Sequence, residues 1–157
     1  MKITLIQIGK TEDEQLRNLI NIYNKRIEHF ISYNVITIPE LQKTSKLSPA
    51  QVKDKEAELI NKQIKNNEYL VLLDERGKEL GSKEFAEFLQ QKMNQSLKEV
   101  VFIVGGSFGV ADSIKEKANY KLSLSKMTFS HQLIRLIFSE QLYRAMTILK
   151  NVPYHNE

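Results

Sequence analysis

The chain has 157 residues, of which 41% are hydrophobic and 27% charged, and this balance is typical of a folded protein with one domain over residues 1–157. It contains no cysteine, which excludes disulfides and thiol nucleophiles, and its three scattered histidines predict no metal site. No apolar run is long enough for a membrane span and the amino terminus lacks a signal pattern, so we expect a cytoplasmic protein whose net charge of +4 allows an anionic partner.

Hydrophobic patterning predicts strands that alternate with helices. The predicted strands cover 3–8, 33–38, 69–73, 100–104 and 120–124, and the predicted helices cover 13–30, 48 to about Asn66, a segment capped by Ser82, 110–118 and 131–150. Polar loops are predicted at 40–47 and 74–81. This alternation predicts an α/β fold, with a mostly parallel sheet and helices on both faces.

A glycine-rich turn follows the buried strand at 100–104. Gly105 and Gly106 have no side chains, so their backbone N–H groups can approach a ligand closely. The turn matches neither the dinucleotide fingerprint nor the phosphate loop. A tight turn without a ligand is therefore the alternative interpretation.

A second loop, the hydroxyl-rich segment 124–130, follows the next predicted strand. Loops that leave the carboxyl ends of strands in one sheet form a crevice, which is the usual ligand position in such folds. Asp74 and Glu75 follow a third strand, and they either contact the ligand or form a solvent-exposed turn. The sequence therefore predicts a ligand site where these loops meet.

Several cations lie in predicted loops, where they can converge on a phosphate backbone. They are Lys43, Lys46, Arg76, Lys78 and Lys126. The alternative is that they only keep the protein soluble.

The last predicted helix has apolar residues on two faces. The first face is Ile134, Phe138, Leu142, Ala145 and Leu149, and the second is Leu133, Ile137 and Ile148. A helix on one sheet needs a single apolar face, so the second face predicts a homodimer interface. Burial within one chain is the alternative. The short tail beyond this helix, which ends at Glu157, carries Tyr154 and His155 within reach of a crevice on either subunit.

Three motifs occur in order along the chain: IVGGSFG, then LSLSKMTFSHQLIRLIFSEQLYRA, then a terminal PYH. Together with the MKI start and the LLDERGK segment, they closely resemble the small SPOUT methyltransferases of the RlmH type over the full length. These enzymes methylate N3 of a pseudouridine in large-subunit ribosomal RNA. One departure is Ser130, where the family often has proline, and we expect it to loosen the entry to the last helix.

The resemblance implies a SPOUT-type α/β knot, in which the carboxyl-terminal part of the chain forms a trefoil knot. It also implies a homodimer that uses S-adenosylmethionine and acts on the assembled ribosome. Carried over to this sequence, the cofactor-binding residues are Leu73, Gly105, Gly106, Leu124, Ser125, Lys126, Met127, Thr128 and Phe129.

Methylation of a ring nitrogen requires that its proton be removed, and imidazole is the side chain suited to this near neutral pH. His155 is therefore the candidate base, and Tyr154 can stack on or orient the target base. Arg135 and Arg144 can contact RNA phosphates or stabilise the deprotonated ring.

Each of these assignments has an alternative. Arg144 can simply pair with Glu140 four residues earlier, and Glu140 itself is either structural or catalytic. His131 is predicted to start the last helix, and His29 to suit the end of the first. The alternative function is a non-catalytic dimer that binds ribosomal RNA.

Overall fold

A five-stranded sheet organises the computed structural model, which describes residues 1–65 and 67–156. The strands are β1 (Lys2–Ile8), β2 (Ser32–Ile38), β3 (Tyr69–Glu79), β4 (Glu99–Val104) and β5 (Tyr120–Ser123). Their order is β2-β1-β4-β3-β5, and each neighbouring pair is parallel. The helices are α1 (Glu14–Glu28), α2 (Pro49–Gln63), α3 (Ser82–Asn94), α4 (Asp112–Lys117) and α5 (Leu133–Leu149). The predicted α/β class and mostly parallel sheet are confirmed. Asn66, the predicted end of the second helix, and Glu157 lie outside the described residues.

The helices cover both faces of the sheet, because side chains alternate between the faces along each strand. Ile3 and Leu5 of β1 point to the face covered by α1, α3 and α5. Ile6 and Ile8 point to the opposite face, where α2 and α4 pack. Within the described residues, no helix is both long enough and apolar enough to cross a membrane.

Strand β3 is longer than predicted, because it continues through the charged segment expected to be a loop. Leu73 and Lys78 both pair with Leu122 of β5, so residues 74–77 form a bulge within the strand. Hydrophobic patterning gives no strand signal here, since the side chains of residues 75 and 76 are exposed. The loop prediction for 74–79 is therefore wrong.

Gly77 lies in this bulge and has no room for a side chain. A Cβ atom there would lie 2.6 Å from both the carbonyl carbon and the oxygen of Lys121. We expect Gly77→Ala to lower the free energy of unfolding by about 1–3 kcal/mol, because backbone cannot shift as a flexible side chain can. Urea unfolding would measure this, with Gly81→Ala as the control, because its Cβ would meet only Glu84 Oε2 at 3.4 Å. Equal losses in both variants would contradict the prediction.

The helix starts were predicted with mixed success. Ser48 caps α2 as predicted, because its hydroxyl accepts from the Gln51 N–H while the Gln51 side chain accepts from the Ser48 N–H. The predicted cap at Ser82 is wrong, since Gly81 occupies the cap position of α3. The Ser82 hydroxyl instead donates to Gln141 Oε1 at 2.9 Å, which joins α3 to α5.

Helix α5 packs between α1 and α3, and this position covers most of its surface. Phe138 and Leu142 are fully buried, and Ile137 and Ile148 on the second apolar face are half-buried. Leu133 remains 38% exposed. Burial within one chain therefore accounts for most of the second face, and only its amino-terminal end stays open to solvent.

Candidate active site

A cavity of about 740 Å³ opens at the carboxyl ends of β3, β4 and β5. Leu73, Val104 and Leu122, the strand residues at this edge, form its floor. The glycine-rich turn after β4 lies on one side, and the hydroxyl-rich loop after β5 lies on the other. The prediction that these two loops lie side by side is confirmed.

The residues that the resemblance carried over as cofactor-binding collect around this cavity. Those that line it are Leu73, Gly105, Gly106, Leu124, Ser125, Met127, Thr128 and Phe129. The exception is Lys126, whose side chain is 85% exposed and whose ammonium lies 3.6 Å from the Glu79 carboxylate.

The glycine turn presents backbone to the cavity because its close packing excludes side chains. The Gly109 N–H donates to the Gly106 carbonyl at 3.0 Å and closes the turn, and Gly109 has a positive φ of 79°. A Cβ on Gly105 would lie 2.8 Å from the Gly109 carbonyl carbon. The wall is therefore made of main-chain donors and acceptors, which suit the polar edges of a nucleoside.

The hydroxyl-rich loop is held by its own side chains. The Ser123 hydroxyl donates to the Ser125 carbonyl, and the Ser125 hydroxyl accepts from the Met127 N–H, both at 2.9 Å. The Thr128 hydroxyl donates to the Glu75 carboxylate, which comes from the bulge of β3. Glu75 therefore links two walls of the cavity.

The junction between this loop and α5 differs from the expectation in two ways. The Ser130 hydroxyl accepts from the Leu133 N–H at 3.1 Å, so this serine holds the entry to α5 rather than loosening it. His131 lines the cavity, whereas the sequence indicated only a helix-start residue. Its position next to the hydroxyl-rich loop is the only sequence signal for this role.

Three cations line the cavity, and only one of them belongs to the predicted set. Arg76 comes from the bulge of β3, while Lys53 and Lys115 come from helices α2 and α4. The prediction missed the two lysines because helix cations were interpreted as solvated. Of the other predicted cations, Lys43, Lys46 and Lys78 are exposed and do not line the cavity.

Arg135 is fully buried, which contradicts its predicted contact with RNA. Its guanidinium donates to the carbonyl oxygens of Ile8 and Gly9 and to the Thr11 hydroxyl. Burial lowers the pKa of Arg135. The residue therefore ties the start of α5 to the loop after β1 and has no surface to offer a nucleic acid.

Tyr154 and His155 of the carboxyl-terminal tail lie in a polar group away from the cavity. This group, the tail cluster, also contains Tyr23 of α1 and two residues of α5, Glu140 and Arg144. Arg144 pairs with Glu140, as the structural alternative predicted, and it lies 4.7 Å from the centre of the Tyr154 ring. The Tyr154 hydroxyl donates to Glu140 Oε1 at 3.1 Å and lies 3.3 Å from the Tyr23 hydroxyl. His155 Nδ1 lies 3.3 Å from Arg144 Nη1.

These contacts indicate which atoms of the tail cluster donate and which accept. Arginine can only donate, so a hydrogen bond between Arg144 and His155 requires Nδ1 of the imidazole to accept. Burial, followed by hydrogen bonding to Tyr23 and Glu140, raises the pKa of Tyr154, which keeps its phenol protonated. No residue of the tail cluster lines the cavity of its own chain.

Glu56 lies behind the glycine turn, where the sequence gave no indication of a functional residue. It occupies the buried stripe of α2 with Val52 and Ile60, and its side chain is 8% exposed. Burial, followed by the charge of Glu40, raises the pKa of this carboxyl. A glutamate within an apolar stripe is the signal that could have drawn attention to it.

We expect Glu56→Gln to stabilise the protein near neutral pH but not in acid. At about pH 4 the Glu56 carboxyl is mostly protonated in both the folded and the unfolded chain. Because its pKa is raised in the folded protein, it ionises in the unfolded chain first as the pH rises, and the free energy of unfolding falls. Calorimetry should find a melting temperature about 2–4 °C above wild type near pH 7.5, and no difference near pH 4. Glu58→Gln, at an exposed position of the same helix, is the control. A gain that persists in acid would contradict the assignment.

The fold and the cavity define an α/β protein with a cavity of small-molecule size at the carboxyl ends of its strands, the usual ligand position in this class. In the described residues, no group of three or more histidine, aspartate or glutamate side chains is arranged to hold a metal ion. Backbone, hydroxyls, a few charged side chains and apolar side chains such as Phe129 line the cavity.

Comparison with known proteins agrees with this class. Residues 1–155 match the family model described as "Predicted SPOUT methyltransferase". Proteins named ribosomal RNA large subunit methyltransferase H are 54% identical in Phocaeicola vulgatus, over 100% of both chains, and 49% identical in Christiangramia forsetii, over 99% of both. The chain therefore belongs to the SPOUT methyltransferase family.

Solved structures show the same fold at low sequence identity. A methylase family protein from Neisseria gonorrhoeae superposes with a TM-score of 0.52 at 9% identity, covering 99% of this chain and 85% of that one. One from Haemophilus influenzae gives 0.50 at 14% identity, covering 99% and 70%.

Proposed function

We propose that this protein transfers a methyl group from S-adenosylmethionine to large-subunit ribosomal RNA. The observation that carries the proposal is the shared cavity of the glycine turn and the hydroxyl-rich loop, two segments distant in sequence. The names of the full-length relatives supply the substrate class. A ribosomal substrate would place the protein in the cytoplasm.

The cavity fits the cofactor because part of its wall is bare backbone. Gly105 and Gly106 line it without side chains, so their main-chain groups can form hydrogen bonds with adenine and ribose. Leu73, Phe129 and Ile134 add apolar surface for the adenine ring. When bound, S-adenosylmethionine supplies the methyl group, and these residues orient it for in-line transfer, where alignment contributes roughly 7–11 kcal/mol.

The acceptor we propose is N3 of a pseudouridine in the assembled ribosome, as the resemblance implies. This nitrogen must lose its proton, and His155 is the base that we assign. Arg144 holds the imidazole and can stabilise negative charge on the ring, while Glu140 holds Arg144. Tyr154 presents a protonated phenol and an aromatic face beside them.

A homodimer would unite the tail cluster with the cofactor cavity. Because the tail cluster does not line the cavity of its own chain, we infer that the tail of one subunit completes the site of its partner. Leu19 and Ile22 on α1 are each 46% exposed and, with Leu133 on the neighbouring α5, offer apolar surface for the interface. Family membership also implies a trefoil knot, which stays a prediction.

The direct test is methyl incorporation from labelled S-adenosylmethionine, with intact ribosomes compared with protein-free ribosomal RNA. We expect incorporation into ribosomes at one nucleotide, together with calorimetric binding of the cofactor. Co-sedimentation with ribosomes without methyl transfer would favour the non-catalytic RNA-binding dimer. No binding of S-adenosylmethionine would rule out the proposal.

Mixed subunits test whether the site is shared. A Gly105→Ala chain lacks an intact cavity and a His155→Ala chain lacks the base, so neither homodimer should be active. If the site is shared, co-refolding the two chains should restore activity, because each heterodimer has one site with both elements intact. Failure to regain activity, with heterodimers demonstrated by mass spectrometry, would assign the tail to its own subunit.

A further inference from the structure

Glu56 occupies the buried stripe of α2, yet its carboxyl forms no hydrogen bond or ion pair with residues 1–65 or 67–156. The residue as a whole is only 8% exposed. The side chain of Glu40, from the loop after β2, adds a second negative charge nearby. Burial, followed by the charge of Glu40, raises the pKa of Glu56, so an apolar side chain would fill this position of the α2 stripe at lower cost.

The carboxyl lies against the cofactor turn. A Cβ on Gly106 would lie 2.9 Å and 3.0 Å from the two Glu56 carboxyl oxygens, and the third nearest atom is the carboxyl carbon. The adjacent Gly105 has different neighbours, because its Cβ would meet the backbone of Gly109 and the side chain of Val110. An added Cβ would therefore meet fixed backbone at Gly105, but at Gly106 it would meet only the end of the Glu56 side chain.

We propose that Glu56 is a positioning residue for the cofactor site, whose buried carboxyl supports Gly106 from behind and sets where the turn presents its backbone to the methyl donor. The residue does not line the cavity, so it acts through the turn and not by touching the cofactor. This inference rests on the proposed function, which makes the cavity a site for S-adenosylmethionine.

The contact with Gly106 depends on the shape of the side chain at position 56 and not on its charge. Glutamine has the planar shape of glutamate, so Glu56→Gln keeps the support, whereas Glu56→Ala removes it and lets the turn settle toward α2. A methyl group on residue 106 collides with the carboxyl but fits the space that Glu56→Ala leaves. The two positions should therefore be energetically coupled.

Calorimetric titration with S-adenosylmethionine tests the coupling. We expect Glu56→Ala and Gly106→Ala each to weaken binding about tenfold, Glu56→Gln to stay within about threefold of wild type, and the Glu56→Ala/Gly106→Ala double variant to bind no worse than Glu56→Ala alone. Gly105→Ala is the matched control, because Glu56→Ala cannot relieve its collision with the Gly109 backbone. The Glu56→Ala/Gly105→Ala double variant should bind S-adenosylmethionine no more tightly than Gly105→Ala alone.

The outcomes separate the two proposals. Two results would overturn the role of Glu56 while leaving the cofactor site intact. One is that the losses of S-adenosylmethionine affinity in Glu56→Ala and Gly106→Ala add in the double variant. The other is that Glu56→Ala restores binding equally well in a Gly105→Ala background. Wild-type protein that binds no S-adenosylmethionine would overturn the proposed function and this inference with it. Melting temperatures of the unliganded variants identify general unfolding, and Glu56→Ser provides a second truncation if Glu56→Ala fails to fold.

Discussion

Replacing His155 with alanine is expected to slow methyl transfer to ribosomes by about 10²–10⁴-fold, the usual contribution of a placed general base. Binding of S-adenosylmethionine should change little, because His155 does not line the cofactor cavity of its own chain. In single-turnover assays, the rate constant for methyl transfer should fall, while the Kd for S-adenosylmethionine should stay at the wild-type value. Arg144 Nη1 lies 3.3 Å from Nδ1 of the imidazole, and this contact leaves Nε2 as the ring nitrogen that can take the proton.

His131→Ala is the matched control, since this is the histidine that the structure places at the cavity. We expect it to weaken cofactor binding more than it slows the bound complex. If His131→Ala instead loses the rate with binding intact, and His155→Ala keeps full activity, the base is His131. Either result locates the proton acceptor.

Replacing Arg135 with alanine is expected to lower the free energy of unfolding by about 3–5 kcal/mol. The side chain is fully buried, and its removal leaves the carbonyls of Ile8 and Gly9 without their donor. The truncation also opens a cavity at the start of α5. Lysine should restore little, because a single ammonium cannot reproduce the planar fork of donors.

Chemical denaturation of the unliganded protein measures this loss. The control is Arg26→Ala, which removes an exposed arginine that lies 5.6 Å from the centre of the Tyr23 ring and should change stability by less than about 0.5 kcal/mol. Comparable losses in the two variants would contradict the anchoring role of Arg135. A stable Arg135→Ala protein with impaired RNA binding would restore the original prediction.

The strands and most helices were predictable because their signals are local. The apolar run before Gly105 indicates a buried strand, and Ser48 with Gln51 forms the capping pair that their spacing predicts. Two strand-end loops in one parallel sheet must meet at the same edge, so the cofactor cavity also followed from local patterns.

The burial of polar residues was not predictable, because charge in a sequence does not show which way a side chain points. Arg135 and Arg144 lie on the same helix nine residues apart, yet one donates to buried carbonyls and the other pairs with Glu140 beside the tail. Glu56 falls on the apolar stripe of α2 and the exposed Glu58 does not, but the stripe alone does not show that the Glu56 carboxyl lies against the glycine turn.

The sequence by itself determined the α/β class, the two loops that meet at the cavity and the family resemblance, since each depends on residue types at short spacing. Only the tertiary structure decided that β3 continues through its charged bulge, that the Glu56 carboxyl lies against Gly106, and that Tyr154 and His155 cluster with Arg144 away from the cavity. These features depend on contacts between segments far apart in the chain, and such contacts are defined by packing rather than by local pattern.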